Sequence, residues 1–89
     1  MKRELPVPPK AETAEQAEEV LRAWIIDDAL HCYLHPKTWA DEPETWGRFF
    51  ADTLQIVSNA LAEESGKNRS ELINMMRKIM NEELDRRDT

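Results

Sequence analysis

The chain reads as an α+β protein. It should carry a short N-terminal helical turn, a β-hairpin over about residues 19–26 and 29–35, and two long antiparallel helices over about 42–64 and 69–86. Three observations point there. Apolar and polar residues alternate on either side of Asp27-Asp28, as strands require. Two later segments carry apolar residues at helical spacing. Only a short polar link containing Gly66 separates those segments, which implies helices that run back on each other.

Residues 1–10 read as an extended tail. Pro6, Pro8 and Pro9 cannot sit inside a helix or a central strand, so a strap laid over the domain is expected. A polyproline ligand for an aromatic groove is the functional alternative, and it lacks a fuller motif. The rest, 11–89, reads as a single ββαα domain. Within it, 11–19 favours helix by composition, with Thr13 and Gln16 spaced as a capping box.

The hairpin assignment rests on a pairing test. A two-residue turn at Asp27-Asp28 sets Ile26 opposite Ala29, Ile25 opposite Leu30, Ala23 opposite Cys32 and Leu21 opposite Leu34. One face then holds only apolar residues, Leu21, Ala23, Ile25, Leu30, Cys32 and Leu34. The other mixes Val20, Arg22, Trp24, Ile26, His31, Tyr33 and His35. A one-residue slip would exchange the faces. Asp tolerates the positive φ of a tight hairpin turn, though less well than Asn-Gly. The rival, one helix from 13 to about 26, fits poorly with the β-branched pair Ile25-Ile26 and with the alternation in 29–35.

Pro36 closes the second strand, and 36–43 form a connection. Asp41 is expected to begin the first long helix, with Glu42 and Pro43 in its first turn and Glu44 completing a capping pattern. Trp46, Phe49, Phe50, Thr53, Leu54, Ile56, Val57, Ala60 and Leu61 then cover an arc of roughly 160°, wider than an ordinary surface stripe. Gly66 stops that helix, and Asn68 with Glu71 caps the next. Its apolar residues are Leu72, Ile73, Met75, Met76, Ile79, Met80 and Leu84. Residues 86–89 should fray.

The two helices are expected to cover the ribbon's apolar face. Surplus apolar surface would remain on the Trp24 face and on both helices. A two-stranded ribbon is marginal by itself, and its outer edges stay unpaired. A symmetric homodimer is the simplest way to complete such a core.

Composition narrows function further. Eighteen acidic against twelve basic residues give a net charge of −6, so generic binding to nucleic acid or to an anionic membrane is not expected. No apolar run is long enough to span a membrane, and none follows the N-terminal Met-Lys-Arg, so the expected location is the cytoplasm. A single cysteine, Cys32, fits a reducing compartment and reads as an apolar filler.

No catalytic grouping can be assembled. The only glycines are Gly47 and Gly66, so there is no phosphate-cradling loop. His31 and His35 would bind a metal if helical, but on a strand they lie roughly 13 Å apart. No metal and no cofactor are therefore expected. The candidate binding residues are Arg22, Trp24, His31 and Tyr33 on the mixed ribbon face, where Trp24 opposes His31 and Arg22 opposes Tyr33. Trp39 and Trp46 join them as an aromatic clasp about the helix start, with Gly47 as a point where another backbone could approach.

The segments ELPVPP at 4–9 and EVLRAWIID at 19–27 carry a resemblance, as does the spacing from Trp39 to Trp46-Gly47 followed by Ala51-Asp52. The chain resembles a small bacterial family classed as a domain of unknown function, over roughly its first two-thirds. The resemblance implies the same hairpin-then-helix order and carries no activity, cofactor or site residue. The expectation is a non-enzymatic protein-interaction or regulatory module, homodimeric. The alternative is a small-molecule binder or minor enzyme using the Trp24, His31 and Tyr33 face.

Overall fold

A computed structural model describes residues 1–87. The elements run α1 (Pro9–Thr13), β1 (Arg22–Ile26), β2 (Ala29–Tyr33), α2 (Pro43–Ser65) and α3 (Arg69–Arg87). The chain divides into two compact units, Met1–Ala40 and Asp41–Thr89, with the boundary inside the connection that the prolines mark.

In the first unit β1 and β2 pair antiparallel, with Arg22 opposite Tyr33, Ala23 opposite Cys32, Trp24 opposite His31, Ile25 opposite Leu30 and Ile26 opposite Ala29. This is the register that the alternation dictates. Asp27 and Asp28 both hold positive φ, 50° and 67°, which is the backbone of a type I′ turn. The strands are shorter than expected, 22–26 and 29–33. Glu19 turns its carboxylate back onto Arg22, and beyond Tyr33 the chain enters a turn in which Thr38 N–H donates to the His35 carbonyl at 3.0 Å.

The N-terminal helical turn differs from the expectation. It starts at Pro9, inside the segment read as tail, and ends at Thr13. Pro9 takes the first helical position, where a missing N–H costs nothing and φ is already set. Thr13 therefore closes a helix rather than capping one, and no Thr13–Gln16 box forms because Ala14 is extended.

In the second unit α2 and α3 pack together as a helical hairpin. Its N-cap is Glu42, not Asp41, and no side chain caps it. Pro43 again selects the first position, which moves the start past Asp41. Gly66 ends α2 at φ 73°, its N–H donating to the Ala62 carbonyl at 2.9 Å. Asn68 caps α3: its Oδ1 accepts from the Glu71 N–H at 3.1 Å. Arg69 also donates to Asn59 Oδ1, which ties the start of α3 to α2. Ser58 is completely buried and Ile73 is 7% exposed. Ser58 donates to the Leu54 carbonyl at 2.7 Å, so its hydroxyl carries no unsatisfied polarity into that seam. A serine at such a point lets two helices approach closely.

Candidate functional site

The ribbon brings four of the expected residues together on one face, with Arg22 across from Tyr33 and Trp24 across from His31. Their surroundings differ. Trp24 is half-buried, whereas Tyr33 is 79% exposed and His31 is exposed. Met1 to Pro8 and all of β1 line a shallow groove of about 980 Å³ that takes in Arg22 and Trp24. Tyr33 lines a second groove of about 490 Å³ with Glu19, Arg22, Leu34 and His35. His31 lines neither, so the planar platform expected of Trp24, His31 and Tyr33 is split between two surfaces.

Arg22 is the electrostatic centre of this unit. Its guanidinium donates twice to Glu19, Nε to Oε1 at 3.0 Å and Nη2 to Oε2 at 3.2 Å. Glu4 of the proline-rich segment adds a longer pairing at 3.6 Å. The hydrogen bond donated to Glu19, then the charge of Glu19, hold the guanidinium above its ordinary range; burial opposes them, and the charge of Glu4 adds a lesser push upward. Arg22 thus faces acids of its own chain, and through Glu4 it tethers the proline-rich segment beside β1. Proline spacing alone could not predict that tether, because it depends on a strand residue far along the chain.

His35 is a turn residue. Its Nδ1 accepts from the Lys37 N–H at 3.1 Å, an interaction that follows from a histidine just past a strand end. Among the described residues there is no group of three or more His, Cys, Asp or Glu that could hold a metal. Cys32 is a free, exposed thiol on the apolar face of the ribbon, not the buried filler expected of it. On that face Ile25, Leu30 and Leu34 are 70%, 65% and 50% exposed.

Trp39 lies in the connection at φ 49°, a left-handed conformation unusual for a bulky side chain, and is half-buried. Trp46 lies in the first turns of α2 and heads an aromatic cluster. Its ring sits edge-on to Phe49 at 5.5 Å and stacked on Phe50 at 6.0 Å, and Phe49 and Phe50 meet edge-on at 5.4 Å. Among the described residues, a Cβ at Gly47 would meet nothing within 4 Å.

A further property of α2 is an exposed apolar side that continues from the aromatic cluster. Phe50, Val57 and Leu61 are 41–48% exposed although they fall on one side of the helix, and Met75 and Ile79 of α3 are also exposed.

Residues 4–88 match the family described as domain of unknown function (DUF5076), and the chain belongs to that family. No protein with a curated function matches. A solved structure from the photosynthetic bacterium Rhodopseudomonas palustrus CGA009, provisionally described as a pyruvate dehydrogenase, is similar over 93% of this chain and 94% of its own. Its sequence is 29% identical, and the superposition gives a TM-score of 0.71.

Proposed function

We propose that this DUF5076 protein is a non-enzymatic interaction module that works by self-association. One observation carries the reading: Ile73 is the sole buried apolar side chain among the described residues, while Ile25, Leu30, Phe50, Val57, Leu61, Met75 and Ile79 stay exposed. Scattered exposed apolar residues are normal, but aligned ones on both units mark surfaces made for contact. A two-stranded ribbon and a two-helix hairpin are each marginal without a cover. A second copy is the cover that a single gene product always has at hand.

The dehydrogenase description of the R. palustrus protein brings no residue to this chain. Arg22, the charged group at the ribbon face, is already engaged by Glu19 and Glu4. The groove beside β1 is shallow and bordered by the chain's own N-terminal segment.

Sedimentation velocity tests the proposal. The expected mass is twice the 10.4 kDa of the chain, with a melting temperature that rises with protein concentration. A 10.4 kDa species whose melting temperature is independent of concentration would refute it.

A further inference from the structure

We infer that α2 is the dimer seam, packed antiparallel against α2 of a second copy, with Leu54 at the two-fold axis. This rests on the self-association proposed above and adds which surface and which orientation it uses.

The spacing comes first. Gly47, Phe50, Leu54, Val57 and Leu61 follow one another at intervals of 3, 4, 3 and 4 residues. That is the stripe by which one helix packs lengthwise on another. On the helical repeat Phe50, Val57 and Leu61 lie about 60–100° to one side of buried Ser58, clear of the line that faces α3. Ile79 of α3 flanks them on the same side of an antiparallel pair, and it is 50% exposed. The charged residues between 47 and 61, Arg48 and Asp52, fall on the other side of α2, so the stripe itself is uncharged.

Side-chain size then selects the partner and the direction. In an antiparallel pair centred on Leu54, Phe50 meets Val57 of the second copy and Leu61 meets Gly47 of the second copy. Phe50 and Leu61 each face a smaller residue, and Leu54 meets its own copy at the axis, an arrangement that fills a helix interface. Open space surrounds the Cβ position of Gly47, where a leucine could settle. A parallel pair would set Phe50 on Phe50 and leave a void between two glycines. The stripe is therefore complementary to its own reverse, the property of an isologous interface. The exposed parts of Phe50, Val57, Leu61 and Ile79 offer on the order of 300 Å² per copy. With half-buried Trp46, Leu54 and Leu72 added, two copies come to about 900 Å², close to the ~1,000 Å² that a specific contact needs.

The test compares Val57→Glu with Ile56→Glu in the full chain, by sedimentation velocity and far-UV circular dichroism. Ile56 is 68% exposed and points away from the stripe, so Ile56→Glu should remain dimeric while Val57→Glu falls to 10.4 kDa with its helicity intact. A Leu54→Cys variant in a Cys32→Ser background guards against a misfolded Val57→Glu. Mild oxidation should cross-link it into a covalent dimer, and Gly47→Cys in the same background should not cross-link. If the native chain is dimeric but Val57→Glu stays dimeric, or Ile25→Glu is the variant that dissociates, self-association stands and the α2 seam is wrong. Efficient cross-linking of Gly47→Cys would overturn the antiparallel direction. A monomeric native chain would remove the self-association itself, with the stripe then covered within one chain.

Discussion

The turn at Asp27-Asp28 allows a sharp test of how the ribbon is built. Both residues hold a left-handed backbone, φ 50° and 67°. That conformation costs an L-residue about 1–2 kcal/mol, and Asp recovers part of it by local hydrogen bonding. Glycine at 28 removes the steric cost but gives up roughly 0.5–1 kcal/mol of chain entropy, so Asp28→Gly should gain about 0.5 kcal/mol. Asp28→Val places a β-branched side chain in the same conformation and should lose about 1–2 kcal/mol. The two variants thus differ by about 2 kcal/mol, or roughly thirtyfold in the local opening equilibrium. Amide hydrogen exchange at Trp24 and His31, an opposed pair two steps in from the turn, reads that opening directly. Equal protection in the glycine and valine variants would mean that the turn does not hold positive φ at 28, and the register built on it would fail.

The remaining predictions concern the helical unit. Gly66→Ala should destabilise it by about 1 kcal/mol in urea denaturation, because φ is 73° and the added Cβ meets nothing, so the cost is one of backbone alone. Asn68→Ala should lose about 1 kcal/mol by the same assay, since the Glu71 N–H loses its acceptor, and Asn68→Asp should restore most of it. Ser58→Ala should be almost neutral, because the hydroxyl bonds within its own helix, whereas Ser58→Leu should cost about 1–3 kcal/mol by forcing α2 from α3.

Much of this architecture was legible because it rests on local chemistry. The ribbon's register follows from alternation that changes phase at a two-residue turn, α2 ends at Gly66 and α3 begins after Asn68. What was not legible depends on non-local contact or on competing local rules. Asp41 and Thr13 looked like helix caps, yet prolines at the first helical position moved both boundaries. Ser58 was invisible to an apolar tally, although it marks the closest burial in the second unit, because a self-satisfied hydroxyl behaves as a small residue. The candidate face was half legible. Cross-strand pairing placed Arg22, Trp24, His31 and Tyr33 together, but not the claim that Glu19 and Glu4 have on Arg22. Nothing local to Trp39 signals its positive φ.

A chain that leaves so much apolar surface open must also avoid indiscriminate association, and its sequence separates the two problems. A net charge of −6 keeps copies apart at long range without favouring any orientation. Close up, the free edge of a strand is the usual route to uncontrolled pairing. Here the segment beside β1 carries Pro6 and Pro8, which have no N–H to donate to a growing sheet, and Glu4 pairs with Arg22 of the strand itself. The helical stripe works by the opposite means. In the proposed antiparallel pair it is uncharged and sets Phe50 on Val57 and Leu61 on Gly47 in one direction only, so a mismatched neighbour would gain little by approaching it. Under that proposal, repulsion that is general and attraction that is specific would coexist on one 89-residue chain. On the proposed seam, that division would let aligned exposed residues such as Phe50, Val57 and Leu61 serve recognition without driving aggregation.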